Sequence, residues 1–271
     1  MHPVILKLGW FSVYSFGFML ALSFLLGIYI SGRRAKRLGV APEHVLDLSV
    51  YVIISGVVGS RLLYVAFHID EYRSLLDVFA LWQGGATLYG GFLFAIIAGY
   101  IFSQKKRIGF LVLGDIISPA LALGIALTRV GCFLSGCCYG KQTTLAWGVT
   151  FPPDSPAGVY ERGIAAAAGA ESAALHPSQL YDSLLSFVTF ILLIALQKRL
   201  TRKGMTFGLM LFCYGVSRFA VDFTRYYEAN MMLTKSINLN QIISVGLAAI
   251  GAYLLFRRAK EKSPAGSKPR E

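Results

Sequence analysis

Charged residues are few. They make up 15% of the 271 residues, and only 14 of them are acidic, against 26 lysines and arginines. With 55% hydrophobic residues and a mean hydropathy of +0.59, such a chain is excluded from the ordinary soluble domains. Internal repeats of useful length are lacking, and no break in composition separates one stretch from the next, which argues against a second folded domain. The first apolar block has no basic leader beyond Lys7 and is followed by four basic residues. It is therefore expected to remain as an anchored span rather than be cleaved as a signal peptide. Cysteine is scarce too, and the four present match no standard zinc-finger or redox spacing.

What the chain does have is long apolar runs. A bilayer-crossing helix needs roughly 20 mostly apolar residues, because each backbone amide in hydrocarbon must be bonded within its own segment. Seven segments qualify, near residues 10–31, 46–67, 87–104, 111–131, 178–197, 205–223 and 238–256. The expected fold is all-α, a polytopic membrane protein of seven transmembrane helices embedded in a lipid bilayer. Most basic residues sit in alternate loops: Arg33, Arg34, Lys36 and Arg37; Lys105, Lys106 and Arg107; Lys198, Arg199, Arg202 and Lys203; and the tail from Arg257 to Arg270. By the positive-inside rule the amino terminus lies outside and the carboxyl terminus inside. Residues 1–256 then form one membrane domain with an extracytoplasmic cap or loop at about 132–177, and residues 257–271 form a basic cytoplasmic tail. In the 132–177 segment Pro152, Pro153 and Pro156 argue against a continuous helix. The formal charge of +12 is thus explained by topology, and no nucleic-acid partner is expected.

Intramembrane charges are costly and mark candidate sites. With these orientations Arg61 falls in the outer half of the second span and Arg129 at the outer end of the fourth. In "YGVSRFAVDFTRYY", Tyr214, Arg218, Asp222 and Arg225 follow one helical stripe. Tyr14, Tyr89, His176, Gln179, Tyr181 and Asp182 lie at the outer ends of the inward-running spans. Several arginines in one layer, partly balanced by Asp222 and Asp182, suit an anionic phosphate-bearing lipid, because guanidinium forks match phosphate oxygens. The competing reading is that each arginine pairs with an aspartate or a helix-end carbonyl simply to hold the bundle together.

The stretch "TRVGCFLSGCCYGK" over residues 128–141 adds Cys132, Cys137 and Cys138. Three readings stay open for them: small packing residues, a disulfide from Cys132 to Cys137 or Cys138, or a metal or chemical role. No metal and no cofactor are expected. Gly131, Gly136 and Gly140 permit close approach of the backbone to a ligand or to a neighbouring helix.

The chain resembles the bacterial prolipoprotein diacylglyceryl transferase family. The resemblance runs nearly end to end through "VYSFGFMLALSF", "GSRLLYVAF", "WQGGATLYGGF", "GDIISP", "RVGCFLSGCCYG", "HPSQLYDSLL" and "YGVSRFAVDFTR". It implies transfer of the diacylglyceryl group of phosphatidylglycerol to the lipobox cysteine thiol in the signal peptide of a preprolipoprotein, forming a thioether and releasing glycerol phosphate. It also implies a bacterial inner (plasma) membrane location with the active site facing the periplasm. Arg129 and Arg218 fall on the family's two essential arginines, Gly140 on the terminal glycine of its signature, Tyr14 on a first-span tyrosine, and Tyr214 and Arg225 on sixth-span counterparts. The chain is a divergent member. Tyr89 stands where the family has a histidine, Cys132, Ser135 and Cys137 replace two asparagines and a glutamate, and Asp222 replaces a glutamate.

The expected catalytic set is Arg129, Arg218, Tyr89 and Asp222. Tyr14, Arg61, Gly140, His176, Gln179, Tyr214 and Arg225 are the expected substrate-binding set. The two arginines clamp the lipid phosphate and Asp222 holds Arg218. Tyr89 is a poor base with a reference pKa of about 10, and His176 is better matched, although a histidine before Pro177 also suits a helix start. Two alternatives remain: a phospholipid-dependent transferase with another acceptor, and a non-catalytic lipid-binding or translocating protein.

Overall fold

The computed structural model describes residues 2–8, 11–69, 85, 87–168, 173–227, 234 and 237–257. Among these residues it has eight helices and one hairpin. The hairpin pairs β1 (Val4–Leu8) with β2 (Phe11–Tyr14) antiparallel. The helices are α1 (Ser15–Arg37), α2 (Glu43–Phe67), α3 (Leu88–Lys105), α4 (Phe110–Leu134), α5 (Pro156–Ala168), α6 (Ser178–Leu196), α7 (Met205–Asp222) and α8 (Leu239–Phe256).

Each expected span has a helix close to the expected bounds. The all-α expectation holds for the bundle among the described residues; the first helix begins at Ser15, later than expected, with the short β1–β2 pairing before it. Aromatic and β-branched residues in Phe11–Tyr14 favour extended backbone, and the Ser15 amide then bonds the Pro3 carbonyl at 2.9 Å. Five helices, α1, α2, α4, α6 and α8, are long and apolar enough to cross a bilayer. Helices α3 and α7 are outside that group, α7 because it carries Arg218 and Asp222 in its last two turns. The protein is a helical membrane protein. The basic tail expected over 257–271 lies outside the described residues beyond Arg257.

Helix α4 is the centre of the bundle, packed against α1, α6 and α7. Half of its apolar window is buried inside the protein, whereas α2 buries 11% and turns Val50, Ile54, Val57 and Val58 outward. Helices α2 and α3 cross at Gly59 and Gly90, where a methyl group on Gly90 would meet Leu63 Cβ at 2.6 Å. Small residues at such crossings let two backbones approach closely.

Pro119, buried within α4, decides how one end of the bundle is tied. Having no N–H, it cannot bond the carbonyl four residues earlier, which belongs to Asp115. That carbonyl accepts Arg34 Nε from α1 at 2.7 Å, and Arg34 Nη2 reaches Thr206 Oγ1 on α7 at 2.7 Å. The Asp115 carboxylate caps the start of α7, accepting the Gly204 amide at 2.6 Å and the Phe207 amide at 2.9 Å. A carboxylate there meets the unpaired amides and positive dipole of a helix start. A cavity of about 630 Å³ opens at this end, bordered by Arg34, His44, Arg107, Asp115 and Arg202.

The segment between α4 and α6 is folded. Pro156 opens α5 rather than blocking it, since proline suits the first helical position, and Ser155 Oγ accepts the Gly158 amide at 3.0 Å. Phe151, Ala157 and Leu175 form a small buried core, with Glu161 accepting the Phe151 amide at 2.8 Å.

Candidate functional site

At the end opposite Asp115, three helices bring charged groups to one point. Arg129 lies near the carboxyl end of α4, Asp182 in the first turns of α6 and Arg218 one turn before the end of α7. Asp182 Oδ2 receives Arg129 Nε at 2.8 Å and Arg218 Nη1 at 3.2 Å, so a single oxygen joins the two guanidinium groups. Arg218 Nη2 pairs with Asp222 Oδ1 at 2.9 Å and donates to the Tyr227 hydroxyl at 2.6 Å. That hydroxyl in turn donates to Asp222 Oδ1 at 2.6 Å. Arg225 lies within electrostatic reach of Asp222 and Tyr227, and its guanidinium sits 5.5 Å from the Tyr227 ring centre. Three cations thus face two carboxylates, leaving an excess positive charge.

The Arg129 side chain is 18% exposed and that of Arg218 9%, so Arg129 is the more open of the two. Gln179 Oε1, Asp182 Oδ1 and Asp222 Oδ2 are buried acceptors with no hydrogen-bond partner among the described residues. Leaving one such atom unmet costs about 1–3 kcal/mol. One turn further into the bundle, a seam lined by Ile125, Ser186, Tyr214 and Ser217 is too narrow to hold water.

The strap after α4 is stitched to this cluster. The Gly140 amide bonds the His176 carbonyl at 3.1 Å, the His176 amide bonds the Lys141 carbonyl at 2.9 Å, and the Lys141 amide bonds the Thr224 carbonyl at 2.8 Å. Gly140 also bridges to Arg225. A side chain at Gly140 would drive into the His176 carbonyl and come within 2.8 Å of the Thr224 carbonyl oxygen, so only glycine fits this crossing. Gln179 Nε2 holds the Cys137 carbonyl at 2.8 Å. Tyr139, Tyr160 and Tyr226 stack beside it, tying the strap to α5.

Burial, followed by the charge of Lys141, holds the His176 imidazole below its usual pKa, and its Nδ1 faces the Tyr181 hydroxyl at 3.3 Å. The Tyr227 phenol is pushed up by burial, which keeps it protonated and able to donate. The neighbouring Cys132 and Cys137 thiols, then Arg225 and Arg129, hold Cys138 below the usual thiol range, while thiol neighbours and burial push Cys137 up.

The structure gathers Arg129, Arg218, Asp222, Tyr214, Gly140, Gln179, His176 and Arg225 around this network, with Tyr214 in electrostatic reach of both arginines. The other expected site residues are placed differently. Tyr89 is half exposed, and its hydroxyl donates to Asn240 Oδ1 on α8 at 2.8 Å. Arg61 is buried and donates to the Gly85 carbonyl at 3.0 Å, serving the junction before α3. Tyr14 is 63% exposed at the start of α1. Sequence reasoning treated Asp182 as a partial counter-charge and passed over Tyr227. Both are central to the network. "HPSQLYD" gave a hint of Asp182 through its place at a helix start, whereas Tyr227 lies beyond α7 and off its stripe.

The family profile described as Prolipoprotein diacylglyceryl transferase matches residues 3–257. The chain belongs to this family. Among curated proteins, it is 34% identical to the phosphatidylglycerol–prolipoprotein diacylglyceryl transferase of Geobacter sulfurreducens, over 94% of this chain and 96% of that one. It is 29% identical to the protein of that name from Clostridium tetani, with 94% and 96% covered. Against the Chromohalobacter salexigens protein of the same name the identity is 32%, with 93% and 90% covered. In this family member Cys132 lies in the last turn of α4, and Ser135 and Cys137 lie on the strap that follows it.

Proposed function

We propose that this protein transfers the diacylglyceryl group of phosphatidylglycerol to the lipobox cysteine thiol of a preprolipoprotein. The observation that carries the reading is the meeting of Arg129 and Arg218, from separate helices, on one oxygen of Asp182. In this scheme the thiol sulfur forms a bond to the terminal glycerol carbon of the lipid while that carbon's bond to the phosphate oxygen breaks. Glycerol phosphate leaves with the electron pair, and the thiol proton passes to a base. Arg129 and Arg218, with Arg225 nearby, place positive charge where the leaving group gains negative charge. Asp182, Asp222 and Tyr227 hold Arg218 in place. The open acceptors on Gln179, Asp182 and Asp222 suit donors that a phosphate lacks: the headgroup glycerol hydroxyls and the thiol hydrogen.

His176, neutral near pH 7, is the better base, and Tyr89 orients substrate from the α3–α8 side. Tyr14 and Arg61 act at the edge of the lipid path, and Tyr214 lines the inner wall. The seven spans run with the amino terminus outside and the carboxyl terminus in the cytoplasm, which puts the network on the periplasmic side of the bacterial inner membrane. Residues 132–177 cap the membrane domain 1–256, and 257–271 form the cytoplasmic tail. The test is purified protein with phosphatidylglycerol and a lipobox peptide, followed by mass spectrometry. A thioether-linked diacylglyceryl adduct is expected. Glycerol phosphate release without that adduct, or binding without turnover, would overturn the reading.

A further inference from the structure

Cys132 at the end of α4 and Cys137 and Cys138 on the strap form a cluster that the transfer reaction does not use. The sulfurs of Cys132, Cys137 and Cys138 all lie within 4.8 Å of one another, and none is in a disulfide. Three thiolates around one ion at about 2.3 Å would stand roughly 3.7–4.0 Å apart, a contraction of at most about 1.1 Å from that limit. The backbone is already set for it. The Cys137 amide bonds the Cys132 carbonyl at 3.1 Å, and Gln179 and Ser178 hold the Cys137 and Cys138 carbonyls at 2.8 and 3.2 Å. Cys138 sits at φ +60°, a left-handed conformation that costs a side-chain-bearing residue about 1–2 kcal/mol. Gly136, at φ +67°, makes the preceding turn, where a methyl group would meet Ser155 Cβ at 2.6 Å.

We propose that Cys132, Cys137 and Cys138 bind one thiophilic d¹⁰ cation, zinc(II) or copper(I), as three thiolates on the rim of the transferase site. Each thiol releases its proton to solvent, and the ion keeps its oxidation state. Three thiolates leave one negative charge over on a divalent ion and two on a monovalent one. Arg129 and Arg225, both within electrostatic reach of Cys138, offset that excess. Among the described residues no fourth His, Cys, Asp or Glu joins the group. The coordination is therefore trigonal for copper(I), or tetrahedral for zinc(II) with one position open to a small oxygen ligand.

The test uses the full, tag-free chain in lipid nanodiscs, reduced under anaerobic conditions. It is loaded with zinc(II) or copper(I) in separate arms, each against a competing chelator. Elemental analysis is expected to find one ion per chain, unchanged in Cys213→Ser, whose thiol lies apart on α7, and reduced at least about tenfold in Cys137→Ser and Cys138→Ser. X-ray absorption on the unaltered protein, which needs no variant to fold, is expected to show three sulfur neighbours at about 2.2–2.3 Å. An additional oxygen neighbour is expected only in the zinc arm. No ion retained in either arm, undiminished metal when all three cysteines are serine, or a shell of nitrogen and oxygen alone would overturn the proposal.

Discussion

The two ends of the bundle each set aspartate among arginines, and they finish the job differently. At one end both Asp115 carboxylate oxygens are met by backbone amides, and its carbonyl, released by Pro119, is met by Arg34. At the other, Asp182 and Asp222 each commit one oxygen to the arginines and, among the described residues, leave the second buried and unpartnered. Buried polar networks that serve only the fold are generally completed, because a half-finished one is costly. The Asp115 carboxylate is a structural joint, although His44 Nδ1 at the same end is also buried with no hydrogen-bond partner among the described residues. The second end leaves its carboxylates half met beside an excess of positive charge.

The comparison breaks most sharply at the arginines. Arg129→Ala and Arg218→Ala are expected to lower kcat/KM for lipobox-peptide lipidation by about 10²-fold or more, the scale of losing one preorganised transition-state contact. Full activity in either variant would remove the clamp. The aspartates separate the two ends next. Asp115→Asn should weaken the helix cap and lower stability by roughly 2–4 kcal/mol, read as a lower denaturation midpoint with KM unchanged. Asp182→Asn should cost about tenfold in kcat by misplacing both guanidiniums. Equal effects of the two variants on kcat would show that the ends do not differ in role.

The phenols give smaller effects. Tyr227→Phe removes a hydroxyl shared by Arg218 and Asp222, worth about 1 kcal/mol and hence several-fold in rate. Tyr89→Phe, which loses only the bond to Asn240, should stay within about threefold. Smallest is the pH effect. Burial and then Lys141 lower the His176 pKa, so this group remains neutral until the pH falls below the ordinary histidine value of about 6.5. Steady-state rates should be flat at neutral pH and decline only on the acid side of that value, and His176→Gln, which removes the proposed base, should lower the plateau rate as well as abolish the decline.

The helices were legible because a long apolar run has one stable state in hydrocarbon, with its amides bonded internally. The hairpin at Val4–Tyr14 escaped that logic, since a short apolar stretch beside a span looks like its first turn. In the site, the stripe of Tyr214, Arg218 and Asp222 followed from helical spacing, whereas Arg225, expected on the same stripe, falls beyond the end of α7 and bridges to Gly140 instead. The pairing of Arg129 with Arg218 through Asp182 did not, because it joins α4, α6 and α7, whose relative rotation no local pattern encodes. Arg61 illustrates the converse: its depth was readable, but its commitment to the Gly85 carbonyl was not.

By itself the sequence determined the apolar spans, the family membership and which side chains carry charge into the membrane, since each is local chemistry repeated along the chain. Only the tertiary structure decided which carboxylate is complete and which is left open, that three sulfurs from a helix end and a turn converge, and that Tyr89 faces α8. Those are properties of distances between separate elements, fixed by how helices pack and where proline and glycine let them approach.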